Sequence, residues 1–256
     1  MSQLDYETNA LDELLAWQTR MQCPPGLWNG LTRSVQQRLN RLVPDVVHAA
    51  LAVSVREVAR GVLAGSRVVA SPPLLQGTLE DREAEVRSDI DRYSRNAAIE
   101  GGLTGAGGLL LGLADFPLLL GIKLNFLVQV AAHYGFSSEE FSERLYMLYV
   151  LQLAFSSDQH RGLAYGRLTD WSSRAESLPR SIEAFDWQTF QQEYRDYMDV
   201  AKLAQLVPVI GAPVGIVVNG RLMRRLGSTA IHAYRMRWFS THRVRPEAPP
   251  SHTSVK

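Results

Sequence analysis

GGLTGAGGLLLGLADFPLLLGIKLNFLVQVAAHYG, residues 101–135, is the stretch on which the fold turns. It is apolar almost throughout, opens on a cluster of glycines, and is interrupted only by Asp115, Phe116 and Pro117. No charge occurs from Gly101 to Ala114, and from Phe116 to Ala132 the only one is Lys123. The pattern predicts two hydrophobic helices joined by a tight corner at Asp115-Phe116-Pro117. Asp115 would cap the second helix, Pro117 would sit in its first turn, and Gly135 would end it. Neither half reaches the roughly 20 apolar residues of a spanning helix, so the pair reads as core or as a re-entrant hairpin.

Glycine spacing adds a surface to this hairpin. Gly101, Gly105, Gly108 and Gly112 fall at i, i+4, i+7 and i+11, on one face of a helix. Each costs about 1 kcal/mol against alanine in a helix interior, so a close neighbour is expected in the groove. Small-xxx-small spacing of this kind lets helices approach in lipid. A second segment, VPVIGAPVGIVVNG at 207–220, places Gly211, Gly215 and Asn219 at i, i+4 and i+8. The two stripes are expected to pack together with Asn219 close to the groove. A phosphate loop is a poor alternative: GGLTGAGG lacks the Lys-Ser/Thr of a P-loop, and Leu110 stands where the last glycine of G-x-G-x-x-G belongs.

Outward from this core, the rest of the chain also reads as helix. A short amphipathic helix is expected over Leu4 to Gln18, a second from about Leu31 to Leu42, and a third from Pro44 to Val69. Thr78 and Asp81 have capping-box spacing ahead of a charged helix whose charges read as a solvated face. Ser137 and Glu140 repeat that spacing ahead of Phe141, Leu145, Leu148, Leu151 and Phe155. Residues 156–181 are polar and turn-rich. A helix from about Asp186 to Leu206 follows, and a last one from Arg221 to Phe239. No strand alternation of useful length occurs, so the fold class is all-α. One multi-helix domain over residues 1–245 is expected, with 246–256 a disordered tail.

Composition narrows the function classes. The 256 residues are 46% hydrophobic and 21% charged, enough for a sizeable core, and 27 basic against 26 acidic residues give no overall nucleic-acid signal. Cys23 is the single cysteine, which excludes an intramolecular disulfide and a cysteine-rich metal site. Asp5, Glu7, Asp12 and Glu13 stand where a secretory signal would be apolar, so the protein is expected in the cytoplasm, peripheral to the inner membrane.

Candidate functional residues form three groups. Asp115 is an acid within the most apolar stretch, either an N-cap or a ligand-binding group. Lys123, Asn125 and Asn219 could join it in a buried polar cluster, structural or ligand-binding. The third group is basic: Arg221, Arg224, Arg225, Arg235 and Arg237, with Tyr234, Trp238 and Phe239 among them, suits anionic lipid head-groups. His133, Asp158 and His160 fall short of the three or four ligands of a metal site, and neither H-E-x-x-H nor G-x-S-x-G is present. No motif fixes a reaction, and neither a cofactor nor a metal is implied.

Three blocks carry a family resemblance: QQRLNRLVPDVVHAAL at 36–51, EGGLTGAGGLLLGLADFPLLLGIKLNFLVQVAAHYGF at 100–136 and PVIGAPVGIVVNGRLMRRLGSTAIHAYRMRW at 208–238. Together they resemble the EcsC protein family across nearly the whole chain. The resemblance implies a helical bacterial protein, without an established enzymatic activity, from a family named for its neighbourhood to a transporter operon. The apolar helix ending at Ala131 to Gly135 is also similar to helical hairpins that accompany some membrane-active GTPases, although this chain carries no GTPase domain. The expected function is therefore non-enzymatic association with the cytoplasmic membrane face through the hairpin and the arginine-rich helix, with anionic lipid as partner. The alternatives are a helical domain binding an apolar small molecule and an interaction module for a transporter or envelope complex.

Overall fold

In the computed structural model, residues 3–23, 45–65, 71–104, 108–181, 183–190, 192 and 211–242 are described, with 45–52, 97–104, 108–116 and 211–219 described by backbone alone. The described residues form eight helices and no strand: α1 (Gln3–Gln22), α2 (Asp45–Leu63), α3 (Leu79–Thr104), α4 (Gly108–His133), α5 (Phe141–Phe155), α6 (Arg161–Gly166), α7 (Trp171–Ser177) and α8 (Gly211–Thr241). A further helical turn covers 187–190. The expected helices at 31–42 and over most of 186–206 lie outside the described residues, as does the tail at 246–256.

The corner expected at Asp115 is corrected. α4 runs unbroken through Asp115, Phe116 and Pro117, and the boundary falls earlier, between Thr104 and Gly108. One proline removes one hydrogen bond from a leucine-rich helix, a loss that the rest of the helix outweighs. Asp115 is consequently a helix-interior residue and not an N-cap, and Gly101 lies on a different helix from Gly108 and Gly112. Of the expected glycine stripe, Gly101 belongs to α3 and Gly108 and Gly112 to α4, and Gly105 lies outside the described residues.

Other boundaries follow local chemistry. Thr78 and Asp81 form the expected capping box, Asp81 N–H donating to Thr78 Oγ1 and Thr78 N–H to Asp81 Oδ2, both at 3.1 Å. Ser137 and Glu140 do not. Glu140 is itself the N-cap of α5, with φ −76° and ψ 134°, and Ser137 Oγ receives the Glu139 N–H at 3.3 Å. α2 stops at Leu63 because Gly65 adopts φ +76° and donates its N–H to the Val62 carbonyl. The turn-rich stretch at 156–181 contains α6 and α7. The segment at 208–220 is not separate from the last helix: from Gly211 onward it is the start of α8, with Pro213 in the first turn, where a missing N–H costs little.

α3, α4 and α8 are the centre. α3 and α8 run antiparallel, since Glu83 meets Arg235, Ile90 meets Gly227 and the Ser94 carbonyl lies beside Gly220. α3 and α4 are antiparallel as well, with Glu83 bonded to Tyr134 and Tyr93 against Phe126. α5 packs on α8 through Tyr146, whose hydroxyl donates to the Ala233 carbonyl at 2.7 Å. Apolar side chains of α4 and α5 fill the core, including Leu120, Leu124, Phe126, Leu127, Leu145, Leu148 and Phe155. α3 and α8 approach so closely at Gly227 that a Cβ there would lie 2.4 Å from Ile90 Cγ1.

Candidate functional site

The polar groups of the interior form two centres. In the first, Glu83 of α3 is fully buried and takes a two-pronged ion pair from Arg235 of α8, Nε to Oε1 and Nη2 to Oε2, each at 2.6 Å. Tyr134 donates to Oε1 at 3.0 Å, Tyr6 to Oε2 at 2.7 Å and Arg87 to Oε2 at 3.1 Å. Arg235, 1% exposed, donates its remaining edge to Glu13 at 2.7 Å and to the Ala10 carbonyl at 3.3 Å. Burial by itself would lower the Arg235 pKa, but the Glu83 hydrogen bonds and charge raise it above the ordinary range. Burial and then the Glu83 charge push the Tyr134 hydroxyl well up. The forked guanidinium geometry suits a planar carboxylate and satisfies a charge pair that would otherwise be costly to bury.

Glu143 of α5 is the second centre. It accepts from Tyr234 at 2.6 Å and from Arg237 Nη1 at 2.5 Å. The Arg237 guanidinium also lies 3.4 Å over the Phe136 ring and 4.7 Å from that of Tyr146. Tyr134 and Tyr234 stack at 5.3 Å and join the two centres. Each buried carboxylate thus ties together donors from several helices, the geometry of a clamp between them.

The expected arginine group is therefore divided. Arg235 and Arg237 are turned inward and bonded, while Arg221, Arg224 and Arg225 are exposed on α8. Arg95, on α3 next to Ser94, stands level with Gly220 and Arg221 and is exposed too. Sequence reasoning missed Arg95 because it lies in a charge run, and missed Glu83 for the same reason.

Antiparallel packing gathers the C-terminus of α3 and the N-termini of α4 and α8 at one end of the bundle. Residues 97–104, 108–118 and 211–220 hold only two charged residues, Glu100 and Asp115. Leu118 of α4, just inside this end, is 65% exposed. Gly101, Gly108, Gly112, Asp115, Gly211, Gly215 and Asn219 all belong to these helix ends, and Gly105 lies outside the described residues. Lys123 is buried, and Asn125 is partly buried with its Oδ1 lacking a hydrogen-bond partner.

His133, Asp158 and His160 have ordinary partners. His133 Nε2 meets Asp89 at 3.0 Å, Asp158 pairs with Arg161 at 3.5 Å, and His160 Nδ1 meets Ser157 Oγ at 3.0 Å. Among the described residues no group of three or more His, Cys, Asp or Glu is placed to hold a metal, and no helix is long and apolar enough to cross a membrane.

Fold and interior together define an all-helical protein whose central helices are clamped by buried carboxylate–arginine–tyrosine centres. The chain belongs to the EcsC protein family, whose sequence pattern matches residues 8–239. It is 36% identical over 228 residues to protein EcsC of Bacillus subtilis, covering 89% of this chain and 94% of that protein. It is also 26% identical over 247 residues to the uncharacterized protein YdbA of Bacillus subtilis, covering 89% of this chain and 90% of that one. No solved structure matches.

Proposed function

We propose that this protein is a non-enzymatic helical protein that associates with the cytoplasmic face of the membrane, docking by the apolar end where α3, α4 and α8 converge. The observation that carries the reading is the pairing of that end with an exposed arginine collar, Arg95 on α3 and Arg221, Arg224 and Arg225 on α8. Apolar helix tips lose water on entering the head-group region, and arginines a turn or two behind them meet lipid phosphate. Leu118 adds an exposed apolar side chain on the same side as the tips. The tips are too short to span a bilayer, so docking is peripheral. Arg235 and Arg237 take no part in it. Their role is to hold α8 against α3 and α5, which keeps the collar at a fixed height.

Vesicle co-sedimentation tests this reading. Wild type is expected to bind phosphatidylglycerol vesicles at low salt, to release them at high salt, and to bind phosphatidylcholine vesicles weakly. Arg221→Glu/Arg224→Glu/Arg225→Glu is expected to lose anionic binding with its helical content unchanged. Binding that ignores both salt and the triple variant would defeat the proposal.

A further inference from the structure

The far end of the bundle carries a second exposed apolar feature. The loop SPPLLQGTL, residues 71–79, contains no ionisable residue, and Leu75 at its tip is 84% exposed, with Leu74 at 40%. The loop is held unusually firmly. Leu74 N–H donates to the Ala132 carbonyl at 2.7 Å, and Arg82 Nη1 donates to the Leu74 and His133 carbonyls at 2.8 and 2.7 Å. Arg82 Nε adds a bond to the Gly77 carbonyl at 3.3 Å, and the Thr78–Asp81 capping box fixes the other side. Gly77, at φ +120°, makes the bend.

Arg82 is itself buried, so the fold places a charged side chain under a loop whose outward residue is a leucine. An isolated exposed leucine is ordinary. A pair on a pre-ordered loop is not, because the ordering cost of binding has already been met. Exposed carboxylates at this end are Glu80, Asp81, Glu139 and Glu140. Of the described arginines at the same end, Arg82, Arg144 and Arg237 are directed onto backbone carbonyls and Glu143, and Arg60, in the last turn of α2, is exposed and lies against the Trp187 ring, leaving acids in excess on the surface. An anionic bilayer is a poor occupant of such a surface.

We propose that Leu74 and Leu75 form a docking knob for a protein partner that offers an apolar pocket edged with lysine or arginine. This inference is independent of the membrane reading, since the knob and the arginine collar lie at opposite ends of α3 and α8.

The test is photo-crosslinking in the native cell with benzoylphenylalanine at position 75, and at Leu163, an exposed leucine on α6, as control. The expected result is a discrete protein adduct from position 75 that position 163 does not give, mapping to an apolar pocket bordered by basic residues. The purified pair should then lose affinity with salt, and about tenfold or more with Leu75→Glu, while Leu75→Met binds as wild type. A lipid adduct, an adduct between two copies of this chain, the same adduct from both positions, or none from position 75 would each overturn the proposal. Vesicle binding by Leu75→Glu separates the two readings: it is expected to stay at the wild-type level whichever way the crosslinking falls.

Discussion

Glu83 shows how much one residue can depend on distant sequence. Its carboxylate is fully buried and satisfied by groups from α1, α3 and α8 and by Tyr134 just past the end of α4. Replacing Arg235 alone with leucine is expected to cost roughly 3–5 kcal/mol, because the carboxylate is left buried without its counter-charge. Glu83→Leu/Arg235→Leu together should cost less than the two single changes summed, as measured by urea denaturation. His232 gives a pH dependence at the same interface. It stacks on Trp17 at 5.0 Å, and burial holds its pKa below the ordinary value, with the Ser228 carbonyl opposing. The folded state thus favours neutral histidine, and the unfolded chain takes up the proton first as pH falls below about 6.5. Stability is expected to drop as pH falls through that value toward the lower folded pKa, and the drop should shrink in His232→Gln. Glu13 acts in a more acidic range. The Arg235 hydrogen bond holds its carboxyl below the usual range, so its contribution is present above the unfolded carboxylate pKa and fades as pH falls below it.

Helices were legible in the sequence to differing degrees, and the differences have physical causes. The Thr78–Asp81 capping box was readable because both partners lie within one turn and need nothing from elsewhere. The apolar runs of α4 and α5 were readable because burial on most sides leaves a continuous hydrophobic signature. Pro117 misled, since a proline within a long apolar helix costs less than the rest of that helix gains. The two buried centres were not legible at all: Glu83 and Arg235 are 152 residues apart, and each sits among other charged residues, some exposed and some buried, that the sequence does not tell apart. Gly227 stands outside the conspicuous stripes, yet it is where the Ile90 side chain of α3 leaves no room for a Cβ on α8. Gly227→Ala is expected to lose about 1–3 kcal/mol through overlap with Ile90, and Ile90→Ala should recover part of it. Arg82→Ala should cost about 1–3 kcal/mol by leaving the His133 carbonyl that ends α4 and the Leu74 and Gly77 carbonyls of the loop without this donor, and thermal unfolding of Arg82→Lys would separate charge from fork geometry.

At the scale of the whole molecule, the polar centres and the collar belong to one arrangement. α8 carries exposed arginines at Arg221, Arg224 and Arg225 and inward-turned ones at Arg235 and Arg237, so the same helix supplies both the collar and the clamp. If each exposed arginine contributes about 1 kcal/mol at an anionic surface, neutralising Arg221, Arg224 and Arg225 should weaken vesicle binding on the order of 100-fold. Their replacement should leave the melting temperature nearly unchanged, whereas replacing Arg235 should lower it and alter vesicle binding only through unfolding. The position of α8 in the chain has a further consequence, for synthesis. Two of the buried carboxylates, Glu83 and Glu143, draw their inward-turned cationic partners Arg235 and Arg237 from this last described helix, Glu83 having besides only the half-exposed Arg87 of α3. A nascent chain that has released α3 to α5 but not α8 holds two acids destined for an apolar interior with no counter-charge available from α8, and desolvating them is prohibitive. Closing the core around Glu83 and Glu143 as charged groups is therefore expected to wait until Arg235 and Arg237 have left the ribosome.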